Sequence, residues 1–397
     1  MKARLHDTIV NVAAHPVGWP LARLARRVGG VLWIPGLGHV VSDAEVGHEV
    51  LVRDEDFSKN GPRSISATMT ELIGPFALSN MDGEEHRRLR STLTDVMSRT
   101  NARRLLAACD APIARLQRDL AAGHTVDLVR WMRGLSGRLT FDMLGVTPPA
   151  GREEAASIDL VLLGEKIAAG FDFRAPSGRK VETARRYCDQ LAGYARHGYE
   201  SPTAPETSFV RRLRDLGLSF DEAKGVISLI FLAGTLTTAA ALPRIVALLV
   251  DSGRFAGLRA QPGAVPRAVA EGLRYSSPVP ATVRIARRDV TLHGHRFRRG
   301  ARIVILTCNL TRDRRLFPSP DTFDPSREHD SRARNLWFGG GAHFCLGFPV
   351  AQLQLQLVLQ ALLAEPGELR IVGRRVAHGV LVPAYSRLDV RLEPAPT

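Results

Sequence analysis

Few cysteines occur in this chain, and their positions argue against a disulfide framework. The 397 residues contain four, at Cys109, Cys188, Cys308 and Cys345, scattered without paired spacing. Such a distribution suits a reducing compartment. The first 20 residues also lack the continuous apolar core and the small-residue cleavage site of a secretion signal. We therefore expect a cytoplasmic protein.

Lysine is scarce, and the positive charge is dispersed. Only five of the 54 Lys and Arg residues are Lys, although the formal net charge is +14 and the isoelectric point is near 10.5. The basic residues are spread among Asp and Glu rather than gathered into a tail or stripe, which disfavours a nucleic-acid interface. We expect no nucleic-acid partner and a generally basic surface with one patch for an acidic protein.

One uncharged run, residues 225–243, is long enough to cross a membrane. It contains FLAGTLTTAA at 231–240. Ser219 stands three residues ahead of Glu222, which is the capping box of a helix that starts in water. The run is rich in Ala, Gly and Thr, and Pro243 interrupts it before the apolar pattern resumes. With 45% hydrophobic and 24% charged residues overall, we expect a long buried helix in a soluble protein, with no membrane partner.

Helical periodicity dominates the chain. Apolar residues recur at three- and four-residue spacing through most of the region between Asp43 and Leu273. Short β-like segments occur at 31–35, 39–42, 301–306 and 388–392. The alternation QLQLQL at 352–357 mimics a strand, but its composition favours a helix. No repeat or linker divides the chain, although its length alone would allow two domains. The pattern predicts a mainly α protein with small β-sheets (α+β).

The stretch FGGGAHFCLG at 338–347 is a glycine-rich loop that holds a single cysteine and leads into a helix starting near Leu346. The three glycines allow the backbone to turn tightly and pass close to a large flat object. A cysteine at a helix start has its thiolate favoured by the helix dipole, so Cys345 is a candidate metal ligand. A buried structural cysteine is the alternative. A phosphate loop is less consistent, because no Lys-Ser/Thr pair follows the glycines.

This loop resembles the haem-ligand signature Phe-x-x-Gly-x-His/Arg-x-Cys-x-Gly of the cytochromes P-450. The residues at its fixed positions are Phe338, Gly341, His343, Cys345 and Gly347. The resemblance implies a haem b (iron protoporphyrin IX) with Cys345 as the axial thiolate ligand of the iron. It also implies that Phe338 packs beside the haem and that His343 bonds a propionate. Trp337 and Phe348 replace the smaller residues more usual in the family.

Glu271 and Arg274 match the family's Glu-x-x-Arg motif. Their charges lie one turn apart on a helix, 74 residues before Cys345. Alone, this spacing more often marks a solvated surface pair. By resemblance, the two residues form a buried ion pair, completed by Arg327, that braces the haem-binding core.

A buried haem needs cations for its two propionates. His86 and Arg90 share a helical face and match the family's propionate-binding pair, and Arg284 fits a further propionate contact. An exposed basic face is the alternative for these residues. The resemblance spans nearly the whole chain, and it implies one triangular, mainly helical domain over residues 1–397 with no fused reductase domain.

The run at 231–240 resembles the family's central helix, which crosses the distal face of the haem. Ala233, Gly234, Thr237 and Thr238 fit its pattern. Gly234 would allow close approach to the porphyrin, and a Thr hydroxyl can bond the carbonyl four residues back, opening the helix locally. Thr237 is the natural hydroxyl of a proton relay, with Thr238 beside it. The family's usual acid is replaced by Leu236. The protons would then come from water held by the threonines or from a polar group of the substrate. Alternatively, the enzyme would carry out an atypical reaction in place of ordinary hydroxylation.

The resemblance implies a monooxygenase that oxidises a hydrophobic small molecule, in secondary metabolism, with O₂ and electrons from NAD(P)H. A ferredoxin or flavodoxin with its reductase would deliver the electrons, and we expect a monomer. Such carriers are acidic. The predicted docking patch consists of Arg87, Arg88, Arg332 and Arg334.

Substrate contacts are expected from segments that line the pocket in this family. These are 64–77, 170–173, 280–283 and 380–382, with the residues Ile230, Ala233, Thr237, Ala281, Thr282, Val283 and Leu381. Two rival functions remain at this point. One is an atypical oxidation, driven by peroxide or leading to ring coupling or rearrangement, and the other is a haem protein that binds a ligand without oxidising it.

Overall fold

The structure is a computed structural model, and it describes residues 1–61, 70, 72–74, 76–168 and 178–394. Helices make up most of these residues, as the periodicity predicts. The α-helices are α1 (Lys2–Ala14), α2 (Gly18–Val28), α3 (Ala44–Val52), α4 (Gly83–Thr94), α5 (Arg99–Leu106), α6 (Asp110–Ala121), α7 (Leu128–Leu144), α8 (Glu153–Ala168), α9 (Gly178–Glu200), α10 (Phe209–Asp215), α11 (Phe220–Asp251), α12 (Phe255–Arg259), α13 (Val265–Ser276), α14 (Thr307–Leu310), α15 (Ser331–Phe338) and α16 (Phe348–Ala364).

The strands form three small sheets. They are β1 (Val31–Ile34), β2 (Gly38–Val41), β3 (Phe57–Ser58), β4 (Val126–Asp127), β5 (Thr282–Ala286), β6 (Val290–Leu292), β7 (His295–Phe297), β8 (Arg302–Ile305), β9 (Glu368–Val376) and β10 (Tyr385–Glu393). The first sheet has the order β1-β2-β8-β5-β3, the second β4-β10-β9, and the third is the β6-β7 hairpin. All four predicted β segments are confirmed, whereas the other strands were not predicted.

Helix α11 is the long helix expected from the apolar run. It begins with the predicted capping box, in which the Ser219 hydroxyl accepts from the Glu222 N–H and the Glu222 carboxylate accepts from the Ser219 N–H. By length and composition it could cross a membrane, but 72% of its most apolar window is buried inside the protein. Pro243 does not end the helix, which continues for eight residues to Asp251. The prediction of a buried helix is confirmed.

The residue after that proline anchors the start of the chain to α11. Arg244 is buried, and its guanidinium donates to Asp7 Oδ1 at 2.6 Å and to Asn11 Oδ1 at 3.3 Å, both on α1. A charged pair inside a core is tolerated only when both partners are present. Helix α1 is therefore fixed against α11 by a specific contact as well as by apolar packing.

The segment QLQLQL lies within α16, as its composition indicates. Gln354 and Leu355 are buried in the core, where Gln354 donates to the Ser136 hydroxyl on α7 at 3.3 Å. The helix begins at Phe348 rather than near Leu346, because Cys345 and the two residues after it still belong to the preceding loop.

Candidate active site

The loop between α15 and α16 carries Cys345. Helix α15 ends at Phe338, and the backbone N–H of Cys345 donates to the Phe338 carbonyl at 2.9 Å, which closes the loop. The Phe338 and Phe348 rings meet edge to face with centroids 4.9 Å apart. Phe338 thus packs against the loop, and the bulky Phe348 is accommodated by this ring contact.

Two of the loop glycines are required by the end of α3. A Cβ on Gly340 would lie 2.6 Å from Cγ1 of Val52, and one on Gly341, where φ is +61°, would overlap the Asp54 carboxylate. The same carboxylate accepts a hydrogen bond from the Ala342 N–H at 2.5 Å. The glycines therefore allow close packing against the protein itself, in addition to the role the sequence suggests.

Cys345 differs from the other cysteines in its exposure. It is partly exposed, whereas Cys109, Cys188 and Cys308 are buried. Desolvation raises the pKa of the Cys345 thiol, while the backbone N–H groups of Gly347 and Phe348 and the charge of Arg90 act in the opposite direction. The first N–H groups of α16 thus favour a thiolate at this position, and coordination to a metal would complete the deprotonation.

Four basic side chains from three separate parts of the chain gather beside Cys345. His86 and Arg90 lie on α4, Arg284 on β5 and His343 in the loop itself. The His86 and His343 rings stack with centroids 4.6 Å apart, and Arg90 donates to the Phe344 carbonyl at 2.5 Å. Burial lowers the pKa of Arg284 to about 10 and that of His343 to about 4. The structure therefore brings together every residue predicted to bind propionates.

This cluster contains buried nitrogen atoms whose hydrogen-bonding capacity an anionic group would satisfy. Nε2 of His86 and Nε of Arg284 are buried and lack a hydrogen-bond partner among the described residues. Buried polar atoms are normally paired, because an unpaired one costs about 1 to 3 kcal/mol. A group with two carboxylates next to the Cys345 sulfur would satisfy both atoms, so the residues present fit a haem.

Two residues of this region escaped the sequence analysis. Asp82 accepts hydrogen bonds from His343 Nε2 at 3.2 Å and from the Ser58 hydroxyl at 2.5 Å; burial alone would raise its pKa, but these bonds lower the pKa to about 2. Lys59 follows β3, which pairs with the strand of Arg284, and burial together with that guanidinium lowers the pKa of Lys59 to about 7. Only the pairing of distant segments places Asp82 and Lys59 here.

The middle of α11 has one face that is not buried. Ala233 is exposed and Gly234 and Thr237 are partly exposed, within a helix whose neighbouring residues are buried. The Thr237 hydroxyl donates to the Ala233 carbonyl at 2.9 Å. A Cβ on Gly234 would make only ordinary contacts with Met143 and Thr140 on α7. This face is the predicted distal wall.

Thr238 points elsewhere. It is buried, and its hydroxyl lies 3.0 Å from the Ser136 hydroxyl on α7, which also accepts from Gln354 on α16 at 3.3 Å. Because adjacent residues on a helix are about 100° apart, Thr238 cannot share the face of Thr237. The structure supports a structural role for Thr238 rather than the predicted catalytic one.

Leu236 faces α8 and not the exposed face of α11 that carries Thr237. It is buried and lies in ordinary contact distance of the position that a Cβ on Gly164 would occupy. A depression next to it is lined by Arg133 and Glu165, which form a bidentate ion pair at 2.9 and 3.0 Å, and also by Leu381. The leucine at the acid position is thus a packing residue.

Glu271, Arg274 and Arg327 form a buried ion-pair network. Both Glu271 and Arg274 are fully buried, with Nε–Oε2 and Nη2–Oε1 distances of 2.7 and 2.8 Å. Arg327 and His329 add contacts to Glu271 at 3.4 and 3.1 Å. Burial alone would raise the pKa of Glu271, but the hydrogen bonds from Arg274 and His329 lower the pKa to about 2. The spacing therefore marks a buried pair and not a surface one.

The predicted substrate residues do not all face the same space. Ile230 is buried, Ala281 and Thr282 are partly exposed, and Leu381 is exposed. Val283 packs with Val40 and Val304 on the face of β5 opposite to Arg284, so the structure does not support a substrate contact there. Segment 170–173 and most of 64–77 lie outside the described residues.

Comparison with known proteins identifies the family of this chain. The sequence profile of the family described as Cytochrome P450 matches residues 264–365. Cytochrome P-450 monooxygenase DoxA of Streptomyces sp. (strain C5) is 30% identical over 398 aligned residues, covering 92% of this chain and 90% of the relative. Erythromycin C-12 hydroxylase of Saccharopolyspora erythraea is 28% identical over 350 residues, covering 85% of this chain and 83% of the relative.

Solved structures share the fold at lower sequence identity. P450BioI in complex with hexadec-9Z-enoic acid ligated acyl carrier protein matches with a TM-score of 0.83 at 22% identity, covering 96% of this chain and 99% of that chain. CalO2 matches with a TM-score of 0.80 at 24% identity, covering 97% and 98%. Since a 30% identical relative spans nearly the whole chain and the folds agree, the chain belongs to the bacterial cytochrome P450 superfamily and is a haem-iron monooxygenase.

Proposed function

We propose that this protein uses haem b to insert one oxygen atom of O₂ into a hydrophobic small molecule of secondary metabolism. The second oxygen atom leaves as water, so each turnover consumes two protons and two electrons. The observation that carries the proposal is the position of Cys345 beside a cluster of buried cations with unpaired N–H groups. When bound, the haem supplies the iron on which O₂ is reduced and cleaved.

The cofactor would be held from two sides. Cys345 would provide the thiolate, and His86, Arg90, Arg284 and His343 would meet the carboxylates. Asp82 holds His343 through its hydrogen bond and thereby sets the orientation of the ring. Because Nε2 of His343 donates to Asp82, a hydrogen bond from Nδ1 to a carboxylate would need the protonated ring, a form that a nearby carboxylate favours.

Thr237 would handle the protons. Its O–H donates to the Ala233 carbonyl, which leaves the lone pairs of the same oxygen available to accept a hydrogen bond from water. A water held there can pass protons to the reacting oxygen. Because Leu236 packs against α8, we propose that water, and not an acid on α11, is the immediate proton source.

The electrons would come from NAD(P)H through a ferredoxin or flavodoxin. Arg87 and Arg88 on α4 and Arg332 on α15 are exposed, and the Arg334 guanidinium lies 5.5 Å from the Phe348 ring, next to the Cys345 loop. An acidic carrier that docks on these arginines would sit close to the thiolate. We propose that the 397-residue chain acts as a monomeric single-domain enzyme without a nucleic-acid partner.

The substrate would be apolar. Ala233, Ile230, Ala281, Thr282 and Leu381 are candidates for its contacts, and apolar walls with a few polar groups are typical of small-molecule sites. The relatives named Erythromycin C-12 hydroxylase and Cyclomarin C epoxidase CymV, the latter from Salinispora arenicola and 29% identical over 320 residues, support a natural-product substrate. They also favour oxygenation over ligand binding without oxidation.

One experiment tests the proposal in two stages. The haem-loaded protein should show the red-shifted ferrous-CO band of thiolate ligation, and Cys345→Ser should lose it; Cys109→Ser is the matched control and should keep it. Product formation driven by NAD(P)H with surrogate redox partners, in a panel of apolar ligands chosen by displacement of water from the ferric iron, then tests oxygenation. A Cys345→Ser protein with an unchanged band would refute the ligand assignment, and a wild type active only with peroxide would favour atypical chemistry.

A further inference from the structure

Helix α2 turns an apolar stripe toward solvent. Val17, Leu21, Leu24 and Val28 follow one another at spacings of four, three and four residues, so they share one face of the helix. All four side chains are between 55% and 70% exposed. The helix buries its opposite side through two alanines only. The exposed stripe is therefore the most apolar face that α2 has.

Further exposed apolar residues follow and precede the helix. Beyond Val28, strand β1 lies at the edge of its sheet and exposes Trp33 by 67%. Before Val17, the His15 ring bonds the carbonyl of Leu381 at 3.2 Å, and Leu381 is exposed as well. Several large apolar side chains exposed in and next to one helix are unusual on a monomer, and such a group marks a contact with a partner or a lipid surface.

The charges around the stripe select the partner. Residues 1–42, all of which the structure describes, contain five Lys or Arg residues and one acid, Asp7, which is buried against Arg244. Acids from other elements neutralise two of the five, since Arg26 pairs with Asp321 and Lys2 with Asp251. Arg27 is exposed and Arg23 is partly exposed on the flank of the stripe. A second copy of the chain would bring these arginines against each other, whereas an anionic surface would neutralise them.

We propose that α2 and Trp33 rest on the surface of an anionic membrane, with the apolar stripe at the acyl-chain boundary and the flanking arginines among the lipid phosphates. A helix that has one apolar face and a flanking cationic rim, and that is not apolar all round, has this behaviour. The contact is peripheral and needs no spanning helix, but it revises the expectation of no membrane partner. Vesicle binding does not depend on the proposed reaction. Its corollary, that a hydrophobic substrate enters from lipid near Leu381, does rest on the proposed function.

Co-sedimentation of the haem-loaded protein with vesicles tests the inference. Vesicles of phosphatidylcholine alone are compared with vesicles that also contain about 30% phosphatidylglycerol, at about 0.15 M salt to screen non-specific attraction. We expect binding to the anionic vesicles, with a partition coefficient at least about ten-fold lower for Leu21→Glu/Leu24→Glu and roughly five-fold lower for Arg27→Ala. Val372→Glu, an exposed substitution on β9, is the control and should bind as the wild type does.

Three outcomes would overturn the inference. Binding that the double variant retains and that salt alone abolishes would be a general effect of the net charge. A dimer in size-exclusion chromatography that the double variant dissociates, without vesicle binding, would assign the stripe to a second copy. Absence of vesicle binding together with loss of ferredoxin affinity in the double variant would assign it to an acidic protein. Circular dichroism and haem content verify that each variant is folded.

Discussion

Replacing Glu271 by Gln should destabilise the protein strongly, because it leaves the Arg274 guanidinium uncompensated. Both side chains are fully buried, and the carboxylate accepts from Arg274, from the Asp324 N–H at 3.0 Å and from His329. Removing one partner of such a pair costs about 3 to 5 kcal/mol. The pKa gives a second measure: a fall from 4.5 to about 2 corresponds to roughly 3 kcal/mol. The two values agree.

The same numbers predict the pH dependence. Because the folded-state pKa of Glu271 is depressed, its contribution to stability is complete above pH 4.5 and is lost as the pH falls toward 2. The gap between wild type and Glu271→Gln should therefore be widest at neutral pH and smaller by about 1 kcal/mol near pH 3.5. Urea unfolding, followed by circular dichroism and by haem absorbance at each pH, measures the free energy of unfolding of the wild type and of the variant.

Glu154→Gln provides the control, since Glu154 pairs with Arg115 at the surface and should change stability by under about 1 kcal/mol. Equal unfolding midpoints for the Glu271 and Glu154 variants would refute the reasoning. A loss for Glu271→Gln that stays constant from pH 7 to pH 3.5 would show that packing, and not the carboxylate charge, is responsible.

Three further predictions follow from the site. Thr237→Val should lower the yield of product per NAD(P)H consumed by at least about ten-fold, whereas Thr238→Val should cost about 1 kcal/mol of stability and leave that yield near wild type; the opposite pattern would exchange their roles. Lys59→Met should release haem to apomyoglobin several-fold faster, because the Lys59 charge lies near Arg284 and Arg90 in the cluster that would meet the carboxylates; an unchanged release rate would remove Lys59 from the site. Changing the four docking-patch arginines to Glu should weaken ferredoxin-driven turnover and leave peroxide-driven turnover intact, and equal loss of both would contradict the patch.

Local signals in the sequence were sufficient for the main helices. The capping box at Ser219 and the composition of the QLQLQL segment act within a few residues, so α11 and α16 could be predicted. Strands β3 and β4 could not, because each has two residues and forms only by pairing with distant partners, as Phe57 does with Ala286. The orientation of Val283 was missed for the same reason, since the register of β5 against β8 sets it.

The residues of the candidate site also fall into those that the sequence predicts and those that only the fold reveals. Residues that sit in a motif, such as Cys345 and Glu271, could be assigned from spacing and resemblance. Asp82 acts through His343, 261 positions later in the chain, and nothing near Asp82 in the sequence announces that contact. The motif names Thr238 as a residue type beside Thr237, but the direction of its hydroxyl is set by Ser136 on α7, and the motif does not reveal that contact.

The buried pair of Arg244 and Asp7 connects the start of the chain to the helix that carries Thr237. Arg244 lies on α11 seven residues after Thr237 and directly after Pro243, and its charge is balanced by Asp7 on α1. Deletion of the first ten residues would leave the Arg244 guanidinium in the core without the carboxylate that balances its charge. The damage would then reach the distal wall through α11 itself, so an N-terminal deletion should impair oxygen chemistry at a site the deleted residues never touch.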